Sequence, residues 1–309
     1  MAHHTTTCSK KRGRNENREE DHYYEDDKIW ASVPLLRWED APEHTKFNPG
    51  IRTGYRGHMC TRLCLESVFH WTNETMNVWT HVFGFMLGFG LMVHDLCQMN
   101  QHVPVLDQTM LVGVLVSAQV SMFLSCVYHT LMCRSDEDHQ FFLRLDLLGV
   151  SLLLLSLYMS AIYYGFWCDQ EWLLFYVVSV LLFCAVVLIV QLPQLHFSHP
   201  VKTTAFLLWT LYGLVPIWHQ TVRYGGWDTN IVRVFLPRML GLYGISGLAF
   251  FFYVSMVPER LFPGRVDYIG SSHQIWHLLV VLAMYHYHNT GVMYIKYRMN
   301  HGCASFLRI

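Results

Sequence analysis

The amino-acid sequence predicts an all-α fold: a polytopic membrane protein built as a seven-transmembrane helix bundle with a cytosolic N-terminus. Of the 309 residues, 52% are hydrophobic and only 15% are charged, whereas a soluble domain carries about a quarter charged residues. After a polar beginning, long apolar stretches follow one another almost to the end of the chain. The net charge of −1 gives no support for nucleic-acid binding.

The polar beginning, residues 1–50, is predicted to be a cytosolic tail that is largely disordered at its start. Residues 1–28 hold a basic cluster at 10–14 and an acidic cluster at 19–27. A segment of this composition buries too little apolar surface to fold alone. The tryptophans and prolines of residues 29–57 favour an extended segment that lies against another part of the protein.

Residues 51–76 are predicted to be an amphipathic segment at the membrane interface. Apolar residues such as Leu63 and Trp71 share a short helical stretch there with the polar Glu66 and His70. A helix with one apolar and one polar face lies in the plane of the interface and does not cross the membrane.

Residues 77–297 are predicted to form the membrane domain, and residues 298–309 a short lumenal or extracellular tail. Crossing the roughly 30 Å hydrocarbon core takes about 20 mainly apolar residues. The stretches that meet this requirement are 77–97, 109–131, 145–167, 171–191, 203–222, 237–257 and 273–295.

The distribution of lysine and arginine predicts the orientation, because segments rich in these residues stay in the cytosol. With the N-terminus inside, 16 of the 22 basic residues fall on the cytosolic side and 6 on the other. Without the tail residues Lys10–Lys46, which are far from the membrane, the ratio is still 8 to 6. The C-terminus is therefore predicted to be lumenal or extracellular.

The 9 cysteines do not predict a disulfide framework, since their number is odd and most lie inside apolar stretches. Cys97 and Cys168 both reach the non-cytosolic side in this topology. A single bridge between them is conceivable.

Four ionisable residues meet at the cytosolic face under the predicted topology. His129 closes the second span, Asp146 opens the third, and the pair His273 and His277 opens the seventh. Ionisable groups within spans are costly, so their convergence indicates a functional site.

The spacing of these residues favours zinc. His273 and His277 are four residues apart and share one helix face. With His129 they form a set that can bind zinc and leave a position for water, whose pKa zinc lowers towards about 7. Asp146 would hydrogen-bond that water or orient a histidine, and Ser125 faces the same way one turn before His129. The alternative is that these are ordinary interfacial histidines, since the chain has 19.

Two further polar groups lie near these residues in the sequence. His286 and His288 are roughly 13–17 Å farther along the same span, too far to share the metal, and are predicted to lie at the outer interface. Glu74, Asn77 and His81 share one face at the start of the first span. Helix capping and interhelical hydrogen bonding are favoured for this second group over catalysis.

Three sequence blocks together resemble the progestin and adipoQ receptor family, which includes adiponectin-receptor-like and haemolysin-III-like proteins. The blocks are Asn73–His81, Ser125–His129 followed by Leu145-Asp146, and Ser271–His277. Their order and spacing agree over about residues 50–300. The resemblance implies a seven-span receptor fold with zinc on His129, His273 and His277, and a water between the metal and Asp146.

Within the family, the runs Val257–Arg260, Phe262–Gly264 and Gly270–His277 look most like the subfamily of its third member. That subfamily implies a receptor-like regulator that tethers Raf kinase at the Golgi membrane and negatively regulates MAP kinase signalling, with a structural zinc. Family members are also linked to ceramide hydrolysis. The alternative is therefore a zinc-dependent amide hydrolase whose substrate or ligand is a membrane lipid such as ceramide or a fatty acid. Ion conduction has less support, because acidic residues do not continue through the spans.

Overall fold

The computed structural model describes residues 23–24, 30, 33–98, 103–301 and 303. Apart from Tyr23–Tyr24, the predicted disordered start of the tail lies outside the described residues.

Helices account for most of the described chain, which confirms the all-α class. In chain order they are α1 Thr61–Ser67, α2 Thr75–Gln98, α3 Val105–Leu131, α4 Asp136–Phe166, α5 Gln170–Gln191, α6 His199–Tyr212, α7 Leu214–Arg223, α8 Asn230–Ser255 and α9 Ser272–Asn300. Short strands precede them: β1 Tyr23–Tyr24, β2 Leu36–Arg37, β3 Thr53–Tyr55 and β4 His58–Met59. Strand β1 pairs with β4 in parallel, and β2 pairs with β3 antiparallel.

Each predicted span coincides with helical structure. Six stretches of the described chain are long and apolar enough to cross a membrane: α2, α3, α4, α5, the pair α6–α7 and α8. Helix α9 has 29 residues, a length of about 43 Å, but polar residues such as His273 and Lys296 make it less apolar. The membrane-protein class is confirmed, whereas the count of seven spans stays a prediction.

Helix α4 begins at Asp136, well before the predicted span start at 145. The hydroxyl of Ser135 accepts a hydrogen bond of 3.1 Å from the backbone N–H of Asp138, as at a helix N-cap. The acidic residues of the first turn also stabilise the helix, because their negative charges interact favourably with the positive end of the helix dipole. Hydropathy locates the apolar part of this helix, whereas capping sets its first residue.

The predicted fifth span is divided at Gly213 into α6 and α7. Pro216 has no backbone N–H to bond to the carbonyl of Tyr212, four residues earlier, so the helix is interrupted there. A Cβ atom at Gly213 would lie 2.8 Å from the ring of Tyr158. The break therefore falls at a residue whose missing side chain allows close packing.

The chain divides into two compact units. The first contains the described residues of Met1–Val82, Leu124–Leu145 and Phe250–Leu278, and the second those of Phe83–Phe123, Asp146–Ala249 and Leu279–Ile309.

Aromatic packing and one disulfide stabilise the second unit. Trp209 is fully buried, and its backbone oxygen accepts a 2.5 Å hydrogen bond from the hydroxyl of Tyr158. A disulfide joins Cys168 to Cys303, whereas Cys97 is exposed and free. The bridge considered between Cys97 and Cys168 is therefore wrong, because the C-terminal tail supplies the partner of Cys168.

In the first unit, the N-terminal segment is anchored to the residues before α9. Glu259 is fully buried and accepts hydrogen bonds from Asn48 Nδ2 at 2.7 Å and from the backbone N–H of Ser272 at 2.8 Å. The hydroxyl of Ser272 donates to the same carboxylate. Asp267 likewise accepts hydrogen bonds from the backbone N–H groups of Arg52 and Thr53. These contacts fix the first residue of α9, one position before His273.

Candidate metal centre

Three histidines of the first unit lie side by side. His129 is near the end of α3, and His273 and His277 occupy the first two turns of α9. One ligand atom from each lies within 4.8 Å of the others, and the Nε2 atoms of His129 and His273 are 3.4 Å apart. His129 and His277 are buried, whereas His273 is half-buried. The cluster is therefore accessible on the His273 side.

Hydrogen bonds orient two of the three rings. Nδ1 of His129 lies 2.8 Å from Oε2 of Glu74, and Nδ1 of His277 lies 3.0 Å from the backbone oxygen of Asn77. Each Nδ1 then donates its proton, which leaves Nε2 of the same ring with a lone pair. Histidines that bind a metal almost always donate the other ring N–H to a carboxylate or a carbonyl in this way.

Glu74, the partner of His129, is itself held by a polar cluster. It accepts a 2.7 Å hydrogen bond from Asn77 Nδ2. Burial alone would raise the pKa of Glu74, but the hydrogen bond from His129, the charge of Arg56 and the Asn77 hydrogen bond lower it. The group is a carboxylate, and its negative charge raises the basicity of the His129 ring.

Arg56 fixes the end of helix α3, where His129 lies. The guanidinium is buried and donates to the backbone oxygens of His129 at 2.5 Å and Thr130 at 2.9 Å, and to Ser67 Oγ at 2.9 Å. The last carbonyls of a helix have no partner within it, and a cation there also interacts favourably with the helix dipole. The N-terminal segment thus positions one of the three histidines.

His81 packs against the cluster without a hydrogen bond of its own. Its ring stacks on that of His277, with the centroids 3.7 Å apart and the planes at 9°. Both ring nitrogens are buried, and neither has a hydrogen-bond partner in the described part of the chain.

The donor set fits a metal ion that prefers imidazole. Zinc binds histidine nitrogen at about 2.0–2.1 Å, which in a tetrahedral site separates two ligand nitrogens by about 3.3 Å. The Nε2 atoms of His129 and His273 are 3.4 Å apart. His129, His273 and His277 would hold the ion, and the hydrogen bonds on Nδ1 of His129 and His277 select the tautomer that binding requires of those two rings.

The other residues predicted from the sequence lie in several places. Ser125 is buried one turn before His129 on α3, in the first unit. Asp146 is the first residue of the segment Asp146–Ala249 of the second unit, so its role beside the metal stays a prediction. Glu74 forms a hydrogen bond with His129, Asn77 forms one with His277, and the ring of His81 stacks on His277. The first two are hydrogen bonds between helical segments, of the kind favoured for this group from the sequence.

The second histidine pair of α9 has partners of its own within the second unit. His286 Nε2 lies 2.8 Å from the backbone oxygen of Arg238, and His288 Nε2 lies 2.6 Å from Oδ2 of Asp95. His288 is only 4% exposed. His288 is thus packed against the buried Asp95 carboxylate near the end of α2, and its position at the outer interface stays a prediction.

Sequence reasoning did not identify Arg56 and Glu259 as residues that position the cluster. Neither residue belongs to a repeated or periodic pattern, and each acts through a backbone group on another element: the oxygen of His129 for Arg56 and the N–H of Ser272 for Glu259. The run Val257–Arg260, which the subfamily resemblance includes, is the signal that could have indicated Glu259.

Comparison with known proteins gives consistent matches. The family model described as Haemolysin-III related matches residues 69–288. The chain is 36% identical to Progestin and adipoQ receptor family member 3 of Mus musculus over 284 residues, which is 89% of this chain and 90% of that protein. The protein of the same name from Homo sapiens is 35% identical over the same shares. The Adiponectin receptor protein of Drosophila melanogaster is 29% identical over 273 residues, 86% of this chain and 61% of that protein.

Proposed function

We propose that this chain, which belongs to the Haemolysin-III related family of membrane proteins, is a receptor-like regulator that binds zinc on His129, His273 and His277. The observation that carries the proposal is the donor set itself, three clustered imidazoles of which two have an oriented outer partner. In such a regulator the ion would have a structural role: it would join the end of α3, which carries His129, to the beginning of α9, which carries His273 and His277.

The orientation that we propose places the N-terminus in the cytosol and the C-terminus in the lumen. The excess of lysine and arginine in the segments on the same side of the membrane as the N-terminus supports this orientation. The disulfide between Cys168 and Cys303 gives independent support, since disulfides persist in oxidising compartments and not in the cytosol. Both cysteines fall on the lumenal side in this orientation.

We further propose that the protein is located in the Golgi membrane, where it retains Raf kinase and reduces MAP kinase signalling. The support is similarity over 89% of the chain to Progestin and adipoQ receptor family member 3. If the proposal holds, raising the amount of the protein in cells will increase the fraction of Raf kinase in Golgi membranes. An unchanged fraction, at confirmed Golgi expression, contradicts it.

A second candidate is a zinc-dependent hydrolase of a lipid amide such as ceramide. Three protein ligands leave a fourth position on a tetrahedral ion, and the half-buried His273 marks an accessible side. When bound, zinc would polarise the amide carbonyl and lower the pKa of a water. Ser125 or Asp146 would then hold or transfer the proton in this chain.

The two candidates are distinguished by one set of variants. The substitutions His129→Ala, His273→Ala and His277→Ala are combined, and a monodisperse, folded product is confirmed in detergent. Loss of ceramide turnover in this variant with Raf kinase retention intact assigns two separate functions to the chain. Absence of turnover in the zinc-loaded wild type eliminates the hydrolase.

A further inference from the structure

A second group of histidines lies in the first unit, outside the cluster already described. His44 is in the short turn after Pro42, His58 is in β4 and His139 is in the first turn of α4. The ring centroid of His44 is 5.2 Å from that of His58 and 5.5 Å from that of His139. In the first cluster all three ring pairs lie 4.6 to 5.2 Å apart, whereas in the second group His44 is the ring that contacts both of the others.

Two nitrogens of this second group are buried without a partner. Nε2 of His44 and Nδ1 of His139 have no hydrogen bond to any described residue. His139 as a whole is only 7% exposed. A buried polar atom that forms no hydrogen bond costs about 1–3 kcal/mol, so two such atoms on adjacent rings indicate a ligand that satisfies both.

The remaining contacts prepare the rings for a cation. His44 also forms a hydrogen bond with the backbone of Met132, which fixes the ring and leaves Nε2 as the available atom. Nδ1 of His58 lies 3.4 Å from the backbone oxygen of Arg134. Both patterns are typical of imidazoles whose second nitrogen binds a metal.

The charges around His44 and His139 favour binding of a metal cation over protonation of the rings. Burial, together with the neighbouring His58 and His139, lowers the pKa of His44 to about 4, so the ring is neutral at pH 7. The exposed Asp136 carboxylate supplies negative charge that acts on both His44 and His139. Neutral imidazoles beside a carboxylate suit zinc, copper and nickel, whereas calcium and magnesium prefer oxygen ligands alone.

We propose that His44 and His139, bordered by His58 and Asp136, bind a second divalent transition-metal ion. This site is separate from the three-histidine cluster, because Tyr128 lies between them: its ring is 4.9 Å from that of His129 and 5.5 Å from that of His139. The second site joins the segment before α1 to the start of α4. It does not depend on the function proposed for the first site.

The test is the zinc content of the purified full-length protein after equilibration with zinc and removal of excess by gel filtration. The wild type should retain two equivalents, and the double variant His44→Ala/His139→Ala should retain one. The control His94→Ala/His199→Ala removes two exposed imidazoles and should retain two. Equal zinc content in wild type and the His44→Ala/His139→Ala variant contradicts the proposal.

A measurement on the unmodified protein keeps the proposal testable if that variant does not fold. Anomalous diffraction at the zinc edge should show a second peak about 2.1 Å from His44 Nε2 and His139 Nδ1. A map with a peak at the three-histidine cluster and none at His44 overturns the proposal.

Discussion

The Nδ1 atom of His129 lies 2.8 Å from the Oε2 atom of Glu74, although 55 residues separate them in the sequence. Both groups are almost completely buried, with side-chain exposures of 1% and 5%. A carboxylate in this position holds the ring of His129 in one tautomer and directs its Nε2 atom towards His273. Glu74 thus supports the candidate metal centre without belonging to its three donor residues.

Replacing Glu74 by Gln is expected to weaken zinc binding by about 10- to 100-fold, because the uncharged amide no longer raises the basicity of His129. Competition with a chelator of known affinity measures the change in dissociation constant. Glu171→Gln is the matched control, since that side chain is exposed and lies in the second unit. An affinity equal to wild type in Glu74→Gln would show that the carboxylate has no effect on the metal.

The stacked ring of His81 contributes to stability through its shape and not through its nitrogens. Substitution His81→Phe keeps the ring on His277 and removes two buried polar atoms without partners, so the thermal midpoint in detergent should be unchanged or higher. Substitution His81→Ala leaves a cavity and should lower it. If His81→Phe lowers the thermal midpoint as much as His81→Ala does, the ring nitrogens of His81 form a hydrogen bond that stabilises the protein.

Removal of the Glu259 side chain should destabilise the whole first unit. In Glu259→Ala, each buried donor that loses its acceptor, such as Asn48 Nδ2 and Ser272 N, costs about 1–3 kcal/mol. Because Ser272 precedes His273, zinc affinity should fall together with the thermal midpoint. The exposed Glu171→Ala is the control, and a variant as stable as this control would contradict the anchoring role.

The sequence predicted the parts of this arrangement that depend on short-range patterns. Apolar stretches located the helices, and the four-residue spacing of His273 and His277 placed both on one face. The meeting of these residues with His129 followed from the ends of the spans. The family resemblance, now confirmed by the match over residues 69–288, made the metal interpretation specific.

The contacts that depend on long-range packing were not predictable in this way. Asn48 and Glu259 are 211 residues apart, and neither stands in a periodic pattern that would indicate a buried pair. The segment that carries Arg56 is polar and forms only short strands, so hydropathy does not distinguish it from a solvated tail. The disulfide partner of Cys168 lies in the C-terminal tail, where composition gives no indication of packing.

The proposed orientation predicts which cysteines a membrane-impermeant thiol reagent can reach. In sealed Golgi vesicles, Cys168 and Cys303 should remain unlabelled after reduction and become labelled once the membrane is opened, because they are lumenal. The double variant Cys168→Ser/Cys303→Ser keeps the other free cysteines, such as the exposed Cys97, and the label that it loses relative to the reduced wild type is the signal of Cys168 and Cys303. Labelling of either cysteine in sealed, cytosol-side-out vesicles would reverse the orientation.

The most direct test of the central claim is zinc titration in a background that lacks the second histidine group, His44→Ala/His139→Ala. This protein is predicted to bind one zinc ion per chain, and X-ray absorption at the zinc edge should show three imidazole nitrogens at about 2.0–2.1 Å. Adding His129→Ala, His273→Ala and His277→Ala should abolish binding while the protein stays monodisperse. No zinc in the background protein, or undiminished zinc after the three further substitutions, would contradict the account.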